Sequence, residues 1–175
     1  MNHIFTIGHS LHTGSDFLSL IKQHKITAIG DVRSVPASAR APQFNQSIIS
    51  KWLKEANIAY VHLGDQLGGK PNEPAFYDNE GHALYNLMAK TEHFQKGIGR
   101  VISGSRKFNL ALMCSEGEPC TCHRHNLIAP VLHSMGVKIT HIKRDGTVVA
   151  YSDIVHEDLI PRTLGKSPKP IRKNI

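Results

Sequence analysis

Short apolar, β-rich runs alternate along this chain with stretches whose apolar residues recur at helical spacing. Ile4-Phe5-Thr6-Ile7 is the first run, stopped by Gly8-His9-Ser10. Thr13-Gly14-Ser15-Asp16 supplies capping residues, and Phe17, Leu18, Leu20 and Ile21 follow with the period of an amphipathic helix. A second strand is predicted over Ile26 to Val32 and gives way to Arg33-Ser34. A polar loop with Pro36, Arg40 and Pro42 leads to a helix carrying Ile48, Ile49, Trp52 and Leu53. Ile58 to Leu63 predicts a third strand, halted by Gly64 and then Gly68-Gly69. A long insertion with Pro71, Pro74 and Asn79-Glu80-Gly81 precedes a helical stretch around Leu84 to Phe94 and a short amphipathic piece from Ile98 to Ser103.

Leu110 to Cys114 is the most apolar run and ends in Ser115-Glu116. A helix is predicted from about His123, carrying Leu127, Ile128, Val131 and Leu132 and stopping near Gly136. Val137 to Ile142 forms the next strand, and Asp145-Gly146 marks a tight turn into Thr147-Val148-Val149. Strands that are apolar throughout are buried on both faces. The pattern therefore predicts an α/β fold: a mostly parallel five-stranded (or slightly larger) sheet with helices on both faces, a three-layer architecture of Rossmann-like or flavodoxin-like type. With no internal repeat and no linker, residues 1–160 are expected to form a single α/β domain and 161–175 a basic, Pro-containing tail.

Composition narrows the function. The formal net charge is +7, but four of the positive charges lie between Lys166 and Lys173, so the body carries an excess of only +3. Charge alone is then a weak argument for nucleic acid. No apolar run approaches the ~18 residues a membrane span needs, and Met1 to Thr6 lacks the apolar core of a secretory signal. Three cysteines within nine positions do not make a disulfide framework. A cytoplasmic protein with no membrane partner is expected.

In an open parallel sheet, ligands bind beyond the carboxyl ends of the strands. Those ends carry His9-Ser10, Asp31-Arg33-Ser34, the Gly64 to Lys70 loop, and Cys114-Ser115-Glu116 with Cys122-His123-Arg124. His9, Asp31, Cys114 and Glu116 are the expected catalytic set, polarising groups or moving protons. Ser10, Arg33, Ser34, Gly68, Gly69, Ser115, His123 and Arg124 are the expected binding set, with the two guanidiniums holding an anion. The bland alternative is an ion pair, Asp31–Arg124 or Glu116–Arg33, that only locks loops. Arg124 lies ten positions beyond Cys114 with one glycine, Gly117, between them, which does not fit the compact Cys-to-Arg loop of the phosphatases.

A thiol at a strand end is as readily a small buried side chain as a nucleophile. Cys120, Cys122 and His123 are weak metal candidates, because structural zinc usually draws on two separated ligand pairs and only one crowded knuckle is present. His9 or His62 would have to complete such a site in space, and the spacing matches no common iron–sulfur pattern. No cofactor is therefore expected.

Thr6-Ile7-Gly8-His9-Ser10, Asp31-Val32-Arg33-Ser34-Val35-Pro36-Ala37-Ser38, His62-Leu63-Gly64-Asp65-Gln66-Leu67-Gly68-Gly69, and Leu112-Met113-Cys114-Ser115-Glu116 with Pro119 and Cys122-His123-Arg124 together resemble the bacterial family known as domain of unknown function 488. The resemblance covers about residues 3 to 145. Cys-Ser-Glu stands where that family commonly has Cys-Ala-Glu, and Cys120 looks like an addition. The resemblance implies an α/β domain with a polar site at these motifs, and it implies no reaction.

The leading expectation is an enzyme or ligand-binding protein acting on a phosphate-bearing small molecule, a nucleotide or nucleic-acid-derived compound, in the strand-end crevice. A hydrolase or transferase suits that site, and N-glycosidic chemistry with Glu116 at the anomeric carbon is one subtype. An alternative is a nucleic-acid-binding accessory protein using the tail with Arg40, Lys51, Lys54, Arg100, Arg106 and Lys107. A second alternative is a Cys-dependent or metal-dependent enzyme.

Overall fold

The computed structural model describes residues 2–157, so the basic tail at 161–175 lies outside the described residues. Strand β1 (His3–Gly8) leads to helix α1 (Gly14–Gln23), whose first turn is capped by Thr13 Oγ1 accepting from the Asp16 amide. Strand β2 (Ala28–Asp31), helix α2 (Gln46–Glu55) and strand β3 (Ala59–His62) follow. A single-turn helix α3 (Gly64–Leu67) stands where the sequence reads as loop.

The insertion differs from the pattern-based expectation of a helix over Leu84 to Phe94. There is one turn, α4 (Tyr85–Met88), and then the longer α5 (Glu92–Ser105). Thr91 makes the break: its hydroxyl donates back to the Met88 carbonyl and accepts from the Phe94 amide, ending one helix and capping the next. Strand β4 (Leu110–Cys114) then runs to the helical segment after Cys122. That segment opens with a π-turn over Arg124–Ile128, in which the Ala129 amide reaches five residues back to the Arg124 carbonyl. Pro130, without an N–H, sits in the first turn of α6 (Ala129–Ser134). Strand β5 (Lys138–Ile142), strand β6 (Val148–Ala150) and helix α7 (Tyr151–Glu157) complete the described chain.

The six strands form one mixed sheet in the order β3-β2-β4-β1-β5-β6. All pairs are parallel except β5–β6, a hairpin turning through Asp145-Gly146, where Gly146 adopts φ 84°. The order departs from the 3-2-1-4-5 and 2-1-3-4-5 arrangements of the two doubly wound types, because β4 inserts between β1 and β2. No helix among the described residues is long and apolar enough to cross a membrane.

Alternating strand residues feed two separate apolar clusters. Ile7, Ile29, Ala111 and Met113 pack with Phe17 and Ile21 of α1 and Ile49 and Leu53 of α2. Ile4, Ala28, Leu110, Leu112 and Cys114 pack with Phe94, Ile98 and Val101 of α5 and with Leu127 and Leu132. Two features hold the sheet's centre to its surroundings. Gly8 lets the loop after β4 come so close that a Cβ there would fall on the Glu116 carbonyl. Beneath α6, the Thr6 hydroxyl lies 2.7 Å from His141 Nδ1, and His141 Nε2 lies 3.1 Å from His125 Nδ1, all buried.

Burial, with His125 and Arg124 nearby, lowers the His141 pKa from 6.5 to about 3. The fold thus holds His141 neutral, and below about pH 6.5 the unfolded chain takes up the proton first. Its stability contribution is full above that pH and is lost as pH falls toward 3. Urea unfolding at about pH 7 and about pH 5 is expected to show a loss that shrinks by about 2 kcal/mol in His141→Gln; equal losses in both proteins would refute this. In the same assay Gly8→Ala is expected to cost about 3 kcal/mol or more. Gly99→Ala, in open space on α5, should be neutral or stabilising by up to about 1 kcal/mol.

Candidate functional site

Asp31 ends β2 in full burial, and the chain answers that charge two residues later. Arg33 Nε donates to Asp31 Oδ1 at 2.9 Å and Nη2 to Oδ2 at 2.6 Å, a bidentate pair. The Arg33 amide also donates to Oδ1, and the Tyr60 hydroxyl of β3 donates to Oδ2 at 2.8 Å. Nη2 further reaches the Phe44 carbonyl, and Nη1 lies 3.2 Å from His9 Nε2. His9 donates from Nδ1 to the Ser10 carbonyl and stacks on the Phe44 ring at 4.4 Å, so Nε2 is left to accept from Arg33. Burial and the guanidinium lower His9 to about 4, keeping the imidazole neutral. Desolvation and the Asp31 carboxylate raise Tyr60, so it stays a donor.

The second cluster sits at the end of β4. Cys114 Sγ donates to Glu116 Oε2 at 2.7 Å and Cys122 Sγ to the same oxygen at 3.2 Å. His123 donates from Nε2 to the Val32 carbonyl at 2.9 Å, which turns Nδ1 toward Cys114 Sγ at 3.6 Å and Cys122 Sγ at 3.8 Å. The hydrogen bond with Cys122 and burial push the Cys114 thiol well above its ordinary range. Burial alone would raise Glu116, but hydrogen bonds from Cys114, its own amide and Cys122 hold it down to about 2. Glu116 is a carboxylate at neutral pH and Cys114 a thiol.

Of these residues, Cys114, Glu116 and His123 line a cavity of about 470 Å³ beyond the strand ends, together with Arg33, Ser34, Gly69, Lys70, Tyr77, His82, Tyr85 and Ser115. A wider groove between the insertion and α5 adjoins it, sharing Ser34, Lys70 and Tyr77. Burial pushes the Tyr85 phenol up to about 12, so it too remains a hydrogen donor.

The sequence-derived candidates divide accordingly. Arg33, Ser34, Gly69, Cys114, Ser115, Glu116 and His123 reach the cavity. His9 and Asp31 stand behind Arg33. Ser10, at φ 48°, pairs its amide with the Ser115 carbonyl and aligns the two loops. Arg124 is fully buried and donates to the Glu116 and Gly117 carbonyls at 2.5 and 2.9 Å. It fixes the loop after β4 and does not line the cavity. The loop-locking pairs weighed from sequence resolve differently from either version, since the carboxylate partner of Arg33 is Asp31. Gly68 and Gly69 work by close approach: a Cβ would meet the Ser34 hydroxyl and the Gly64 carbonyl at Gly68, and the His123 ring at Gly69. Cys120 falls outside the four-residue cluster of Cys114, Glu116, Cys122 and His123.

Sequence reasoning did not single out Tyr60, Phe44, Lys70, Tyr77, His82 or Tyr85. Lys70 follows the Gly68-Gly69 stop, and the other cavity residues of this group lie in the long insertion between β3 and α5. An insertion of that length within a compact α/β pattern is itself a signal of a binding segment.

No curated protein and no solved structure matches this chain. The family model described as "Domain of unknown function DUF488" matches residues 14–130, a span that holds β2, β3 and β4 with both clusters of the site except His9. The chain belongs to the DUF488 family.

Proposed function

We propose that this protein is an enzyme, a hydrolase or transferase, that takes a phosphate-bearing, nucleotide-like small molecule into the cavity beyond the strand ends. One observation carries the reading: Glu116, Cys114 and His123, groups able to move protons or attack, share one cavity with Lys70, Ser34 and the rings of Tyr77 and Tyr85. The cavity's volume of about 470 Å³ falls within the usual range for small-molecule sites. Tyrosine rings suit a planar base, and Lys70 suits a phosphate. Arg33 adds positive potential, but after Asp31, Phe44 and His9 it has at most one Nη1 proton left for a ligand.

The topology supports this placement. We read the two apolar clusters as two faces of a three-layer, Rossmann-like arrangement. The chain then leaves β2 and β4 toward opposite faces, which opens a crevice between their ends. Glu116, ionised and on the cavity side, is the acid–base group or the stabiliser of a developing positive charge, as at an anomeric carbon. Cys114, holding its proton, positions Glu116. Three cysteines crowded into nine positions make no disulfide framework, which suits a reducing compartment, and we place the protein in the cytoplasm.

Calorimetric titration of the full chain with nucleoside monophosphates and the matching nucleosides tests the reading. The monophosphate is expected to bind at least about tenfold more tightly than its nucleoside, and Lys70→Ala to weaken it about three- to tenfold. Between about 50 and 200 mM salt the affinity should move by less than about tenfold, whereas a nucleic-acid accessory protein would lose about a thousandfold for RNA or DNA. Absence of monophosphate binding at millimolar concentration, or binding only to nucleic acid with that steep salt loss, overturns it.

A further inference from the structure

We propose that Cys114, Cys122, His123 and Glu116 form a binding site for one zinc-class divalent cation. The four donor atoms lie within 4.8 Å of one another. In a tetrahedral zinc site, with Zn–S about 2.3 Å and Zn–N about 2.0–2.1 Å, neighbouring ligand atoms stand roughly 3.3–3.8 Å apart. The sulfur–imidazole distances of 3.6 and 3.8 Å and the Cys122–Glu116 distance of 3.2 Å are already near that spacing. Closure needs only small side-chain movements.

The surroundings match what a soft metal site requires. Two sulfurs and an imidazole favour zinc over magnesium or calcium, which prefer all-oxygen shells. His123 has its remote nitrogen held by the Val32 carbonyl at 2.9 Å, the outer support that orients a ligating imidazole. The Arg124 amide points at Cys122 Sγ from 3.4 Å, a donor that stabilises a thiolate. Cys114, Cys122 and His123 are buried, whereas Glu116 is exposed to the cavity. The three buried residues are therefore the fixed ligands, and Glu116 is the exchangeable donor on the side from which water or substrate enters. Binding converts two thiols to thiolates, releases two protons and leaves the metal's oxidation state unchanged. The site stands on this cluster and not on the ligand reading above.

The test uses the full chain, stripped with a chelator under reducing conditions and titrated with Co²⁺ and then Zn²⁺. A thiolate-to-cobalt charge-transfer band and the intense visible bands of tetrahedral cobalt are expected to saturate at one ion per chain, and Zn²⁺ to displace it. About two protons should be released per metal near neutral pH. Cys122→Ser and Cys114→Ser are each expected to weaken binding about a hundredfold or more, and Cys120→Ser less than about threefold. The cobalt spectrum of the unsubstituted protein needs no variant to fold. A folded, reduced protein giving no charge-transfer band, or Cys120→Ser losing metal as Cys122→Ser does, overturns the proposal. Nucleoside-phosphate binding by the stripped protein is read separately, so failure here leaves the ligand reading standing.

Discussion

A carboxylate with no solvent exposure dictates much of this molecule. Asp31 ends a strand at the sheet's interior, where an unpaired charge is untenable. Arg33, two residues on, supplies a bidentate partner, so the chain folds back within a single turn. Removing one member of such a pair commonly costs about 3–5 kcal/mol, because the other is left charged and buried. The value of the pair lies less in net stability than in the geometry it imposes on residues 31–34. The Val32 carbonyl orients His123, the Arg33 carbonyl meets His62 Nε2, and the Ser34 hydroxyl accepts the Lys70 amide. One turn thus ties β2 to β3, to the glycine-containing loop after α3 and to the cysteine cluster.

The loop after β4 is the second half of the same device. It is held against β1 by the close approach at Gly8, by the hydrogen bond from the Ser10 amide to the Ser115 carbonyl and by Arg124 donating to the Glu116 and Gly117 carbonyls. A guanidinium spent on two backbone oxygens is a positioning group. It lets Glu116 turn its side chain to the cavity while its carbonyl faces inward. The glycines at 68 and 69 serve the same economy of space, bringing the Lys70 amide to Ser34 and the backbone at Gly69 against His123. The walls of the cavity are fixed by buried contacts and its lining is left polar and open.

Much of the architecture was legible along the chain. The central strands β2 and β4 read as short apolar runs, because strands buried on both faces need apolar side chains at nearly every position, whereas the edge strands β3 and β6 are partly exposed. The helix start at Thr13 is a side-chain cap, a local interaction. The error over Leu84 to Phe94 was local as well: the apolar spacing continues through Thr91, and only the hydroxyl's double hydrogen bond shows that the helix breaks there. The strand order could not be read, because nothing local tells β4 to return between β1 and β2.

The candidate site divides along the same line. The sequence by itself determined which chemistry gathers at the strand ends, since His9, Asp31, Arg33, Cys114 and Glu116 each follow an apolar run directly. It could not assign their partners. Arg33 and Arg124 look alike as arginines near strand ends, yet one is matched to a buried carboxylate and the other to two carbonyls, and only burial and direction decide that. Spacing also counted Cys120, Cys122 and His123 as one crowded knuckle. The sheet instead delivers Cys114 from the end of β4 to face Cys122 and His123 across the loop and leaves Cys120 outside the cluster. Residue types and local order are properties of neighbours in the chain. The meeting of donors from the end of β4 and from the segment just before the π-turn is a property of packing, and it exists only once the sheet has closed.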